Sequence, residues 1–147
     1  HMRKEGVAMW CKRVLVAYDG SNAARKAVDK AYAIAEEEPG ASFVFVHVMK
    51  LYAMGTGAET VLIEDANETF AELKGLVAPL GERAEAKMLR GSSPADLILR
   101  CAADEGCDLI VMGSRGRGGV KGYLGSVSYA IVQGSPVAVL ITKEGAR

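Results

Sequence analysis

The stretch DLIVMGSRGRGGVKGYLGSV, residues 108–127, joins a short apolar run to a glycine-rich loop and then to a serine able to open a helix. Asp108 to Met112 shows no polar alternation. A continuous apolar run of that length, ended by glycine, suits a strand buried on both faces. Six of the thirteen positions from Gly113 to Gly125 are glycine. Glycine admits positive φ and lets bare N–H groups approach a ligand, and a series of such groups forms an anion-binding concavity. The loop feeds a helix N-terminus at Ser126, which favours negative charge, and Arg115, Arg117 and Lys121 add cations. A solvated connection is the plainer reading. A loop this long in a compact domain is usually functional or disordered, and its composition favours a phosphate cradle.

The same unit recurs outward from this stretch. Arg13 to Tyr18 (RVLVAY) reads as a buried strand, broken by Asp19-Gly20-Ser21. Ser21 suits a helix N-cap, and Ala24, Ala27, Val28, Ala31, Ile34 and Ala35 follow at helical spacing until Pro39-Gly40. Ser42 to Val48 (SFVFVHV) predicts a second buried strand. A glycine-containing loop over Leu51 to Ala58 leads to a helix from Glu59 to Ala78, with Leu62, Ala66, Phe70, Leu73 and Val77 on one face. Pro79 and Gly81 stop it. Ala84 to Leu89 (AEAKML) alternates apolar and charged residues, the pattern of a half-exposed strand at a sheet edge. Ser93 and Pro94 start a third helix, with Leu97, Ile98, Cys101 and Ala102 inward. After the decisive stretch a short helix runs from Ser126 to Gly134, and Val137 to Thr142 (VAVLIT) is the last strand.

The order β-α-β-α-β-α-β-α-β predicts an α/β fold: one doubly wound, Rossmann-like, five-stranded parallel sheet with four helices. Ligands of such sheets sit beyond the carboxyl ends of the strands, where the strand order reverses. Three segments are expected to meet there: Asp19 to Ser21, the residues after Val48, and Gly113 to Gly125. The loop is neither a Walker loop, since G-x-x-x-x-G-K-[ST] is absent, nor a dinucleotide fingerprint, since G-x-G-x-x-G follows no strand.

The 147 residues suit one domain. Residues 1–9 are expected to be a loose tag-like N-terminal segment and 10–147 the domain. Half the residues are hydrophobic and 24% charged, a soluble globular profile. Eighteen basic residues balance eighteen acidic ones, which argues against nucleic acid as a partner. No apolar run reaches the roughly 20 residues that span a bilayer. No signal-peptide pattern is visible, and Cys11, Cys101 and Cys107 form no C-x-x-C pair, so a cytoplasmic setting without disulfides is expected. Cys101 and Cys107 are either buried apolar residues or a metal or oxidant site, the first being the simpler reading. His47, the lone histidine outside the tag-like start, is expected to hydrogen-bond a neighbour within its strand rather than act as a base. Trp10 is expected to pack at the N-terminus. Asp19 suits either a turn or a ligand contact.

In this order and spacing, several pieces resemble the universal stress protein family. They are Tyr18-Asp19-Gly20-Ser21, His47-Val48, the Gly91-x-x-Pro94 turn, the decisive stretch with Gly113-x-x-Gly116 and Gly125-Ser126, and Pro136-Val-Ala-Val-Leu. The resemblance covers residues 13–142 and favours the family's ATP-binding branch. It implies that Gly113, Gly116, Gly125 and Ser126 lie at the phosphates and ribose with Val127 beside them. Ala17, Tyr18 and Asp19 would line the ribose and adenine side. Val48 would meet adenine through its backbone, and Met112 would pack nearby. Arg115 is either a phosphate clamp or a solvated charge. The family pattern has nine residues between its second and third glycines; here there are eight, Arg117 to Leu124. The resemblance implies ATP, or AMP, ADP or cyclic AMP, and leaves room for Mg or Mn with the phosphates. It also implies a homodimer through Val137 to Thr142. A regulatory, stress-response module is therefore expected, with no dedicated catalytic residues and with slow ATP hydrolysis left open. The alternatives are a nucleotide-free dimeric interaction module and an enzyme of the ATP-pyrophosphatase type.

Overall fold

A computed structural model of the chain describes residues 9–51, 58–115 and 124–144. The strands are β1 (Arg13–Ala17), β2 (Ser42–Lys50), β3 (Ala84–Gly91), β4 (Leu109–Gly113) and β5 (Ala138–Thr142). The helices are α1 (Asn22–Glu37), α2 (Ala58–Val77), α3 (Pro94–Asp104) and α4 (Ser126–Gly134), and a 3-10 segment spans Ala78–Arg83. All strands are parallel, in the order β3-β2-β1-β4-β5. The expected alternation and parallel sheet are present, with β3 at one edge as expected and β5 at the other.

The pleat explains the two cores. Val14, Val16, Phe43, Phe45, Leu109 and Val111 face α1 and α2, where Ala27, Val28, Ala31, Leu73 and Val77 cover them. Leu15, Val44, Val46, Ile110 and Met112 face α3 and α4, meeting Ile98, Cys101, Ala102 and Ile131. Strands buried on both faces read as unbroken apolar runs, whereas β3 at the edge is only half buried. The α1 stripe is buried as its spacing requires.

Local signals set most boundaries. Ser21 Oγ accepts from Ala24 N at 3.1 Å and caps α1. Ser93 stands at the N-cap of α3, but its hydroxyl donates to Asp96 Oδ2 instead of capping the backbone. Pro79 and Gly81 stop α2 by way of the 3-10 segment, in which Gly81 takes a φ of 60°. At the far end of α1, the Arg83 guanidinium donates to the carbonyls of Ala35, Glu38 and Ala41. It places a cation where the helix dipole is negative. Met9 packs against the core on the α1 side. Trp10, expected to pack, is 48% exposed. Among the described residues no helix is long and apolar enough to cross a membrane.

Candidate functional site

β1 and β4 are neighbours in the sheet, yet the chain leaves β1 for a helix on one face and β4 for a helix on the other. That divergence opens a crevice at their carboxyl ends. A pocket of about 190 Å³ occupies it. Ala17, Tyr18 and Asp19 line it from the end of β1, Val46 and Val48 from β2, and Met112, Gly113 and Arg115 from β4 and its loop. The amino-terminal parts of α1, α3 and α4 complete it with the capping Ser21, Ala24, Pro94, Ile98 and Val127. Apolar side chains make most of this wall. Arg115 and Asp19 are the charged residues of the described lining.

Tyr18 is fixed from three sides. Its N–H donates to Val46 O at 2.9 Å, extending the ladder one residue past β1. His47 Nδ1 donates to its carbonyl at 2.9 Å. Its hydroxyl donates to Glu72 Oε1 at 2.5 Å, and Glu72 Oε2 accepts from Arg25 Nη2 at 3.1 Å. Burial first, then the Glu72 carboxylate, raises the phenol above its ordinary pKa. His47 therefore has the structural role its place in a buried strand suggests.

Asp19 Oδ1 accepts from Ser21 N at 2.9 Å, and Gly20 between them takes a φ of 84°. The turn is therefore an Asx-type turn in which a glycine supplies the left-handed residue. Gly113 is glycine for a packing reason. A Cβ there would lie 2.8 Å from both Ala23 C and Ala23 Cβ, and 2.9 Å from Ala24 N. The start of α1 crosses directly over the end of β4. Thr142 Oγ1 ties the same corner, donating to Ala23 O at 2.9 Å.

The base of the glycine loop is closed by backbone bonds. Ser114 N donates to Thr142 O and Gly125 N to Ser114 O, each at 2.7 Å. The Gly125 amide, expected at a phosphate, is thus already engaged. The first helical bond of α4 runs from Tyr129 N to Gly125 O, so the amides of Ser126, Val127 and Ser128 precede it. Val127 lines the pocket; Gly125 and Ser126 do not. Gly116, Arg117 and Lys121 lie outside the described residues.

The structure therefore brings together Ala17, Tyr18, Asp19, Val48, Met112, Gly113, Arg115 and Val127. It adds Pro94 and Ile98, which the sequence reading assigned to a turn and a core stripe. The signal for them was the position of their helix after an edge strand. A helix that returns the chain from the carboxyl end of edge strand β3 toward the start of β4 begins at the end of the sheet where the strands open.

The cysteines are free and buried. Burial pushes the Cys107 thiol up to about 11 and also raises Cys101, so both stay protonated at neutral pH. Among the described residues no group of three His, Cys, Asp or Glu side chains is arranged to hold a metal ion. A divalent ion at this pocket would have Asp19 as its one acidic lining residue among those described.

A family model described as the universal stress protein family matches residues 11–143. A universal stress protein in the QAH/OAS sulfhydrylase 3'region of Thermus aquaticus is 37% identical over 139 residues, spanning 90% of this chain and 98% of that protein. Universal stress protein YxiE of Bacillus subtilis is 35% identical over 147 residues, spanning 89% and 98%. Among solved structures, hypothetical protein MJ0577 superposes with a TM-score of 0.77 at 26% identity, covering 92% of this chain and 98% of that one. A universal stress protein in complex with cAMP gives 0.71 at 24%, covering 93% and 100%. One from Archaeoglobus fulgidus in complex with dAMP gives 0.68 at 22%, covering 92% and 100%. At those identities the last two share the fold.

Proposed function

We propose, from the premise that this chain belongs to the universal stress protein family, that it is a regulatory module that binds an adenine nucleotide, ATP or a relative of it. The observation that carries the reading is the pocket at the switch point, apolar on its walls and bordered by the first turn of α4. A flat base suits the apolar walls formed by Ala17, Val46, Val48, Ile98 and Met112. A pocket of about 190 Å³ is smaller than typical whole-ligand clefts of about 300–1,000 Å³. It is sized for the base and part of the sugar. Phosphates then extend past Val127 to the open amides of α4, where a helix N-terminus favours anions. The neighbours solved with cAMP and dAMP carry adenine nucleotides on the same fold, which supports this class of ligand.

Binding without a dedicated chemical step fits the side chains better than catalysis. His47 is occupied by Tyr18 O, and Asp19 by Ser21 N. The pyrophosphatase-type alternative needs free amides after β1. There Ser21 N and Ala24 N are both bonded to side-chain oxygens. The chain is also proposed to pair with a second copy through residues 137–142 and to work in the cytoplasm.

Calorimetric titration with ATP, ADP, AMP and cyclic AMP, with and without Mg or Mn, tests the reading. Saturable one-site binding is expected. Replacing Gly125 with Val is expected to weaken ATP by about tenfold or more, by crowding the approach to the α4 amides. No binding by any of the four nucleotides overturns the proposal.

A further inference from the structure

Three segments far apart in sequence meet beside the pocket. Asn22 is the first residue of α1, Arg115 lies just past β4, and Glu144 just past β5. Arg115 Nη2 donates to Glu144 Oε1 at 2.5 Å, and Asn22 Nδ2 donates to Glu144 Oε2 at 3.0 Å. Both carboxylate oxygens therefore hold donors at the mouth. The Arg115 side chain is only 13% exposed, lines the pocket, and is the sole cation of its described lining. Glu144 stays 34% exposed and is not part of that lining.

A carboxylate and a phosphate oxygen seek the same face of a guanidinium. With Glu144 in place, the Arg115–Glu144 pair has no net charge to offer an anion. A phosphate that takes the Arg115 Nη2 and Asn22 Nδ2 donors displaces Glu144 from them toward water, and its exposure leaves that route open. We propose that Glu144 is a built-in anionic competitor that sets which charge state of nucleotide the site prefers. It disfavours the triphosphate relative to the nucleoside and monophosphate. The inference rests on the adenine-nucleotide reading above and adds a specificity-determining residue to it.

A positioning role for Glu144, holding Arg115 ready for phosphate, predicts the opposite sign. The test is calorimetric titration of adenosine, AMP and ATP into the full chain as wild type, Glu144→Gln, Arg115→Gln and the double variant. Gln keeps the size and an acceptor for Arg115 while removing the charge. Thermal melts confirm that each variant is folded. Glu144→Gln is expected to tighten ATP by about tenfold, AMP by less, and adenosine by no more than about twofold. In the Arg115→Gln background the same change is expected to tighten ATP by no more than about twofold, the remainder of like-charge repulsion, since the contested donor is gone. ATP binding that is weakened or unchanged by Glu144→Gln, while adenosine binding holds, overturns the competitor role and leaves the nucleotide site standing. Equal shifts for adenosine and ATP overturn it too, because they mean an effect through the fold. If none of the three ligands binds the wild type, the nucleotide reading falls and this inference with it.

Discussion

Gly113 ends a strand, opens the glycine loop and lines the pocket, so its missing side chain invites a ligand-based explanation. The geometry gives a packing one. A methyl group there would meet α1 backbone at 2.8–2.9 Å, and backbone cannot swing aside as a side chain can. Gly113→Ala is therefore expected to destabilise the fold by about 1–3 kcal/mol, the usual cost of overpacking. Urea unfolding without ligand checks this, and an unchanged midpoint would refute it. Lost nucleotide affinity in that variant would accordingly say nothing about phosphate contacts. From sequence alone Gly113 was legible as a loop glycine, but not its partner, because Ala23 is brought over it only by the packing of α1 on the sheet. The same limit applies to Arg115. Its charge was visible, whereas its pairing with Glu144 depends on β4 and β5 ending side by side. His47 was legible because a histidine inside a doubly buried strand has few partners besides neighbouring carbonyls.

At the scale of elements, the signals that held were those with a local cause. The apolar runs RVLVAY, SFVFVHV and DLIVM became the inner strands β1, β2 and β4, alternation became the edge strand β3, and Ser21 became a capping residue. What escaped was the fastening of α3. Glu105, just past its end, accepts from Arg13 Nη2 at 2.5 Å and from Lys87 Nζ. Arg13 Nε also donates to the Glu105 carbonyl at 3.2 Å. One glutamate thus ties α3 to the first residue of β1 and to the middle of β3. The Arg13 hydrogen bond, then that of Lys87, holds its carboxyl below the ordinary value of 4.5. A carboxyl with a lowered folded pKa contributes stability that is present above its unfolded pKa and is lost as pH falls through the folded one. Stability is therefore expected to decline below about pH 4.5. Glu105→Gln should cost about 1–2 kcal/mol at pH 7 and make that acid decline shallower. Urea unfolding at pH 7, 4.5 and 3.5 measures both effects. Equal acid slopes for variant and wild type would remove Glu105 from this role.

For the whole molecule, strand order decides where partners can attach. β3 at one edge carries charged residues along its length, Glu85, Lys87 and Arg90, which discourages further strand pairing. β5 at the other edge reads Ala-Val-Leu-Ile-Thr, short and uncharged, with β4 as its one partner strand among the described residues. Next to it, α4 exposes Tyr129 at 55% and Val132 at 45%, one turn apart on the surface. An uncharged edge beside exposed apolar side chains is a template for a second chain. A two-fold axis normal to the sheet would set two β5 strands antiparallel and join the two sheets into one. This is the physical basis for the proposed homodimer. Ala138 is exposed on that strand, so Ala138→Lys leaves the core alone while placing on the edge a charge that pairing must desolvate. The wild type is expected to scatter light as a dimer at micromolar concentration. Ala138→Lys should weaken association by about tenfold or more. Because association stabilises the folded chain by mass action, the wild-type melting temperature should rise with protein concentration and that of the variant much less. A monomeric wild type whose melting point ignores concentration would leave the β5 edge without a partner. The Arg115–Glu144 pair beside the pocket, held within one chain, would be untouched by that result.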